Sequence, residues 1–312
     1  MLHIYPDYYP EFSCIASQCK HNCCIGWEID IDPESLARYQ DVDGPMGQRL
    51  RSCISEEEEP HFILSKEDRC PFLNQENLCD LILYGGEDFI CQICTDHPRF
   101  RHFLPGRIEI GVGLCCEAAA HQILTRKEPV QLCATGEPEE DEDPQGILAL
   151  RQRALEIAQD RSRSIAQREE DLLEHFQGWV PDLPPAQWAE FYLGLERMDE
   201  SWTEHLENLR TYGTTLDLAA FDERMADRQV EYEQLLVYFL YRHFLTAYED
   251  GDPGSKVSFA VLSVRFLRML GALHWQQHRT FTLEDQEEYA RMYSAEVEYS
   301  QDNLDTLFAS LM

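Results

Sequence analysis

The sequence predicts a mainly helical protein, in which a cysteine-rich N-terminal module of short helices, loops and small β pieces packs on a C-terminal helical bundle. Eleven of the twelve cysteines lie between Cys14 and Cys116, and apolar residues recur at helical spacing after about residue 147. Residues 134–146 are acidic, contain Pro and Gly, and have almost no apolar side chains, which is typical of a linker or exposed loop. We therefore expect a metal-binding module at 1–133, a linker at 134–146 and a helical domain at 147–312.

Short elements are predicted along the N-terminal module. The segment up to about Trp27 is rich in Tyr, Pro and Cys and is expected to form loops. Asp32 can cap a helix that has Pro33 at its first position and continues through Tyr39. A small hairpin is predicted within residues 70–81, because short apolar pieces flank a polar turn there.

A strand followed by a helix is predicted at the end of the module. Residues 107–114 alternate as a strand does, and they lead into the doublet Cys115-Cys116 at the start of a helix over 117–124. Cysteines at a helix start gain thiolate character from the aligned backbone dipoles. The doublet is therefore a candidate source of metal ligands.

The second half of the chain predicts several buried helices. Apolar residues repeat at helical spacing over 148–176, 232–240 and 259–273, and residues 283–311 indicate one further amphipathic helix or a pair. The most apolar windows, 235–245 and 257–275, are too short or too interrupted by arginine to span a bilayer. We expect a helical bundle that is not inserted in a membrane.

The composition is that of a folded protein with a strong acidic excess. Hydrophobic residues make up 44% of the chain, and 58 Asp and Glu against 26 Lys and Arg give a formal charge of −32. Such a field repels nucleic-acid phosphates and anionic membranes and attracts cations or basic peptide segments. The first ten residues lack the basic and apolar regions of a secretory signal, so we expect a cytoplasmic location, where thiols stay reduced.

Two dense groups of thiols indicate a metal or iron–sulfur site. Cys91 and Cys94 form a Cys-x2-Cys turn with His97 three residues on, and four further cysteines, with His21 among them, fall within residues 14–24. Such turns can aim two sulfurs at one metal ion. The candidate ligands are Cys14, Cys19, Cys23, Cys24, Cys70, Cys79, Cys91, Cys94, Cys115 and Cys116.

The spacing of the cysteines does not identify the metal, since zinc and iron–sulfur clusters both bind thiolate ligands. Motifs for dinucleotide binding and for a phosphate-binding loop are missing from the sequence. The three-cysteine motif of radical S-adenosylmethionine enzymes is missing as well, because Gly26 occupies the position where its third cysteine would stand.

Four motifs together resemble the flagellin lysine N-methylases, the FliB-like proteins. They are Tyr8-Tyr9-Pro-Glu-Phe12 with the cysteines and Gly26-Trp27 that follow, Cys70-Pro-Phe-Leu73 with Leu78-Cys79, Cys91-x2-Cys94-x2-His97-Pro98-Arg99, and Cys115-Cys116-Glu117-Ala-Ala. A looser similarity extends to zinc- or iron-chelating proteins named for a CxxxCxxCC pattern. The resemblance is specific over about residues 8–124.

The resemblance implies transfer of methyl groups from S-adenosylmethionine to flagellin lysines, with a bound iron–sulfur cluster, a 4Fe–4S cluster first among the options, or zinc. It implies that the first eight candidate cysteines are ligands together with one of Cys115 and Cys116. The family usually has a single cysteine before Pro-Glu-Ala-Ala, whereas this chain has a doublet before Glu117. Which cysteine of the doublet is the ligand is therefore left open.

The sequence is consistent with two classes of function. A methyltransferase is favoured by the family resemblance and by the acidic charge. A non-enzymatic metal or iron–sulfur protein, such as a carrier, an electron-transfer partner or a maturation factor, is favoured by the thiols and by the missing cofactor motifs. A scaffold stabilised by structural zinc is a third and weaker reading.

Overall fold

The computed structural model of the chain describes residues 1–137, 143 and 145–312. The described residues are mainly helical, with one small mixed sheet, as the sequence predicts. They form two compact units, a smaller one over Ser13–Phe100 and a larger one that combines Met1–Phe12 with Arg101–Met312. Most of the acidic segment expected at 134–146, namely residues 138–142 and 144, lies outside the described residues.

The strands are β1 (Leu2–Pro6), β2 (Arg99–Leu104), β3 (Arg107–Val112) and β4 (Leu132–Thr135). The helices of the smaller unit are α1 (Pro33–Gln40), α2 (Gly44–Cys53), α3 (Asp80–Gly85) and α4 (Gln92–Asp96). The helices of the larger unit are α5 (Glu117–Leu124), α6 (Ile147–Ala158), α7 (Ile165–Phe176), α8 (Pro185–Leu193), α9 (Glu200–Tyr212), α10 (Leu218–Arg224), α11 (Gln229–His243), α12 (Ala247–Asp250), α13 (Pro253–His278), α14 (Leu283–Tyr293) and α15 (Gln301–Ser310). A π-helical turn, Ser294–Glu298, follows α14 directly.

The sheet has the strand order β2-β3-β1-β4. Strand β1 runs parallel to β3, with Leu2 opposite Arg107, and antiparallel to β4, with His3 opposite Thr135. The expectation of loops up to Trp27 was therefore wrong at its start. Strand β1, which includes Pro6, is only five residues long, and its partners lie about a hundred residues or more away along the chain, so local sequence did not reveal it.

This sheet also changes the division of the chain. Residues 1–12 and 101–133 were expected in the cysteine-rich module, but they belong to the larger unit, since β1 pairs with β3 and β4. The predicted strand over 107–114 and the helix over 117–124 are present as β3 and α5. The cysteine-rich unit is thus a continuous insertion within the larger one.

The smaller unit is built from short, locally specified elements. The Asp32 side chain accepts a hydrogen bond from the Ser35 amide (2.9 Å) at the start of α1, as its position before Pro33 predicts. The expected hairpin is reduced to a single antiparallel bridge between Leu73 and Cys79, after which the chain turns into α3. The polar turn was recognised, but the segments beside it are too short for a ladder.

Two buried helices form the centre of the larger unit. Nearly every residue of α11 from Glu231 onward is buried, and α13 is buried along most of its length. Helix α13 is long and apolar enough to cross a membrane, but 78% of its most apolar window is buried within the protein. This is the pattern of a core helix in a bundle. The pattern over 148–176 corresponds to two helices, α6 and α7, and that over 283–311 to α14 and α15.

Candidate metal centre

The thiols of the smaller unit lie at the edge of an aromatic core. Cys70 and Cys91 are buried in this core, and Cys24, Cys79 and Cys94 are partly buried against it. Its other buried members are Ile29, Ile31, Tyr39, Leu50, Phe62, Phe72, Leu73 and Leu81. Cys53 of α2 is also partly buried against this core, so four separate segments of the chain bring cysteines to one apolar region.

Cys91 and Cys94 form the tightest pair of thiols. Cys91 occupies the N-cap position of α4 and Cys94 lies in its first turn, so that their sulfur atoms are 3.4 Å apart. Two thiolates bound to one tetrahedral zinc ion at about 2.3 Å each would lie about 3.8 Å apart. The pair is therefore within a few tenths of an ångström of the spacing that a shared metal ion requires.

Backbone contacts also fix the segments that carry Cys24, Cys70 and Cys79. The Cys70 amide donates a hydrogen bond to the Cys24 carbonyl (2.8 Å), and Cys79 is fixed by its bridge to Leu73. Burial raises the pKa of Cys70, and negative charge on Cys79 or Cys91 adds to this shift. The hydrogen bond with Cys91 and burial raise the pKa of Cys94, and charge on Cys24 or Cys70 adds to it.

Neighbouring thiols lower the pKa values of two cysteines, Cys23 and Cys91. A hydrogen bond from Cys24 lowers the pKa of Cys23 to about 7, and a hydrogen bond from Cys94 lowers the pKa of Cys91. Burial raises the pKa of Cys70 to about 11. Because the thiolate is the form that binds metals, Cys23 and Cys91 are the sulfurs most ready to bind one.

Other predicted ligands have local partners instead. The Cys14 sulfur accepts a hydrogen bond from the Ala16 amide (3.4 Å), and the Cys19 thiol donates one to the His21 carbonyl (3.3 Å). Cys14 is exposed. The structure does not place these two thiols with the five described above, and their role as ligands stays a prediction.

Sulfur ligands suit a thiophilic metal, but the side chains do not converge on one point. All twelve cysteines lie among the described residues, and none of them forms a disulfide bond. Across residues 1–137, 143 and 145–312, no three His, Cys, Asp or Glu side chains converge closely enough to hold a metal ion as they stand. A closed site with four ligands would therefore need the segments that carry Cys24, Cys70 and Cys79 to move towards the Cys91–Cys94 pair.

Trp27, from the first cysteine motif, contacts His97, from the motif that contains Cys91 and Cys94. Their ring centroids lie 5.6 Å apart, and the Trp27 indole donates a hydrogen bond to the Cys23 carbonyl. Burial lowers the pKa of His97 to about 4, and Arg99 adds to this effect. His97 is therefore neutral at physiological pH, so only one of its two ring nitrogens carries a proton.

Cys115 and Cys116 belong to the larger unit, where the half-buried Cys115 lies beside a polar cluster that contains the buried residues Arg242, His243 and Glu298. Its thiol interacts with the Tyr299 hydroxyl, and burial raises its pKa to about 12. Arg242 stacks over the Tyr299 ring (4.9 Å) and pairs with Glu298 (3.3 Å between Nε and Oε1). His243 approaches the same carboxylate, with 2.6 Å between Nε2 and Oε1.

Sequence reasoning missed this polar cluster. Glu298 has no exposed side-chain surface, and its pKa lies below the ordinary value although burial opposes this, because Arg242 and His243 stabilise the carboxylate. The available signal was the polar pair Arg242-His243 directly after the apolar and aromatic residues 235–241 of α11. The π-helical turn that delivers Glu298 has no sequence signature, yet such turns are frequent at functional sites.

Comparisons with known proteins link the chain to one family. Residues 186–312 match the FliB lysine N-methylase C-terminal domain. A lysine-N-methylase of Salmonella typhimurium is 23% identical over 141 residues, which cover 41% of this chain and 33% of that protein. The flagellar biosynthetic protein FliU of Salmonella muenchen is 23% identical over 134 residues, which cover 41% of this chain and 79% of that protein.

The extent of these matches limits what they describe. The match to the lysine-N-methylase spans about a third of that relative's length. The family domain covers α9–α15 and nearly all of α8, and it lies wholly on the C-terminal side of the predicted thiol ligands. It includes the buried residues Arg242, His243 and Glu298 of the polar cluster, and Tyr299, which is 44% exposed. No solved structure matches the chain.

Proposed function

Because the chain is FliB-like and carries the FliB lysine N-methylase C-terminal domain over residues 186–312, we propose that it methylates the ε-amino groups of protein lysines. That domain match is the observation that carries the proposal. We further propose flagellin as the substrate, a choice supported by the flagellar name of one relative. The proposed location of the reaction is the cytoplasm.

The proposed methyl donor is S-adenosylmethionine, which supplies a methyl group on a positively charged sulfur. In the net reaction the bond from that sulfur to the methyl carbon breaks, a bond from the lysine nitrogen to the same carbon forms, and the nitrogen gives up one proton. The donor leaves as a neutral thioether. The protein must therefore hold a lysine as the neutral amine and keep water away from it.

The charge of the chain supports a lysine-bearing substrate. The formal charge of −32 favours the approach of a positively charged segment and opposes nucleic acids. The smaller unit alone carries seventeen Asp and Glu against seven Lys and Arg. Charge of this kind accelerates encounter with a basic partner, and the effect weakens as salt is added.

For the thiol cluster we propose a bound iron–sulfur cluster, with a 4Fe–4S cluster favoured, or zinc. Cys23, Cys24, Cys70, Cys79, Cys91 and Cys94 would supply the ligands from three segments of the smaller unit. Metal binding would join segments that share only a small apolar core, and its free energy would add to the stability of this unit. Local movement on binding is part of the proposal, because the sulfurs do not yet surround one point.

The test begins with anaerobic purification, a visible absorption spectrum, and analysis of iron, sulfide and zinc. The protein is then incubated with flagellin and S-adenosylmethionine, and lysine methylation is read by mass spectrometry of flagellin peptides. We expect methylated lysines only when enzyme and methyl donor are both present. A matched reaction with the Cys53→Ala variant should behave as wild type, since Cys53 is outside the proposed ligand set.

Each outcome selects among the functions considered. A brown protein that methylates flagellin supports the full proposal. A protein that binds iron and sulfide but leaves flagellin unmodified contradicts the enzyme and favours a carrier, an electron-transfer partner or a maturation factor. A colourless protein with stoichiometric zinc contradicts the cluster and favours a structural zinc site; methylation by that protein would still support the enzyme.

A further inference from the structure

A second group of metal-binding side chains lies in the larger unit, far along the chain from the thiols. His274 and His278 are four residues apart near the end of α13, and their ring centroids are 4.5 Å apart. Residues at this spacing share one face of a helix. Two histidines at positions i and i+4 of one helix are an established zinc-binding arrangement.

A carboxylate faces the first of these histidines. Asp285 uses its Oδ2 atom to cap α14, accepting hydrogen bonds from the Thr282 amide (2.7 Å) and hydroxyl (2.8 Å). Its Oδ1 atom lies 3.6 Å from the Nε2 atom of His274. This distance is too long for a hydrogen bond. A nitrogen and an oxygen that share one tetrahedral zinc ion lie about 3.4 Å apart, close to the observed spacing.

A further hydrogen bond orients the His274 ring. The Tyr289 hydroxyl lies 3.2 Å from His274 Nδ1 and 3.4 Å from His205 Nδ1. Metal-binding histidines commonly use their second ring nitrogen in this way, which fixes the ring and directs the other nitrogen at the metal.

We propose that His274, His278 and Asp285 bind a divalent first-row transition-metal ion, with water as the fourth ligand. Zinc is the reference ion, since two imidazoles and a carboxylate form a set that zinc accepts. The three side chains do not surround one point as they stand, so the proposal includes a change in the conformation of the His278 side chain. His278 is exposed, so its ring can turn without disturbing the core. This site is independent of the thiols and of the proposed methylation.

The test titrates zinc into the full-length protein as purified, with whatever metal its thiols hold, and follows binding by calorimetry. Wild type is compared with His278→Ala and with Gln277→Ala. Both substituted residues are exposed and adjacent on the same helix, but only His278 is a proposed ligand. We expect His278→Ala to weaken one zinc-binding event at least tenfold, and Gln277→Ala to leave it unchanged.

A third variant separates ligand orientation from general damage. Tyr289→Phe keeps the ring in place and removes the hydroxyl, and we expect zinc affinity to fall by about tenfold while the unfolding temperature without zinc changes little. Equal zinc affinity for wild type and His278→Ala would overturn the proposal, as would an equal loss in Gln277→Ala. Thiol-bound metal, measured before titration, should be the same in all four proteins.

Discussion

The sulfur atoms of Cys91 and Cys94 lie 3.4 Å apart across the first turn of a five-residue helix, and Cys91 holds the N-cap position of that helix. The local backbone alone determines the distance between these two sulfur atoms, because both cysteines belong to one turn. Cys24, Cys70 and Cys79 reach the same region only through tertiary packing. The pair is therefore the part of the proposed metal centre that should form first.

Loss of one sulfur of this pair should remove the metal. In Cys94→Ser, a hydroxyl that remains protonated at neutral pH replaces a ligand that can become a thiolate, so we expect metal content to fall at least tenfold and the soluble yield to drop with it. Elemental analysis of the purified protein measures this directly. Cys53→Ser is the matched control, and normal metal content in Cys94→Ser would refute the ligand assignment.

Removal of the metal should destabilise one unit selectively. The amides of Gly26 and Cys70 donate to the carbonyls of Asp68 and Cys24, so these hydrogen bonds depend on the arrangement of the thiol-bearing segments. After chelation we expect faster hydrogen exchange over residues 13–100, read by mass spectrometry of peptides. Peptides from α11 and α13 serve as the internal control, and equal acceleration there would contradict the prediction.

His102 should make stability fall in mild acid. Burial lowers the pKa of His102 to about 4, and its Nε2 atom lies 2.6 Å from the Arg242 carbonyl. The unfolded chain binds this proton near pH 6.5, so the free energy of unfolding should decrease as the pH falls from about 6.5 towards 4. In His102→Gln, which keeps a donor but does not titrate, the decrease measured by urea unfolding should be smaller. An identical pH profile would show that His102 is not responsible.

Glu298 should be important for the stability of the larger unit. The variant Glu298→Gln leaves Arg242 buried without its negative partner, which typically costs about 3 kcal/mol or more. Urea unfolding at neutral pH measures the loss. Asp305→Asn, an exposed change on the nearby helix α15, should cost little, and a similar small effect for Glu298→Gln would mean that solvent reaches the cluster.

Sequence reasoning succeeded where local signals decide the structure. The cap of α1 by Asp32, the buried face of α11 and the strand before Cys115 were all predicted, because capping residues and apolar periodicity act within one element. The attachment of β1 to the larger unit was not predicted, because it depends on pairing over a hundred residues. No local pattern distinguishes such a strand from a loop.

The same distinction holds for the candidate site. The sequence identified the thiols, and the structure brings Cys24, Cys70, Cys79, Cys91 and Cys94 to one region. The sequence alone did not distinguish these five cysteines from Cys14 and Cys19, because all seven occur in motifs of similar cysteine density. It also missed Glu298 and Asp285, because a carboxylate in an acidic chain carries no signal until its neighbours are known.

The insertion of residues 13–100 between β1 and its partners imposes an order on folding during synthesis. Strand β1 leaves the ribosome first, but β3 and β4 follow only after the whole smaller unit has been made. The smaller unit can therefore fold while β1 is still unpaired, since domains tend to fold as they emerge. If the smaller unit folds on metal binding, as proposed, the supply of metal to the nascent chain would change the time at which that unit folds relative to the pairing of β1.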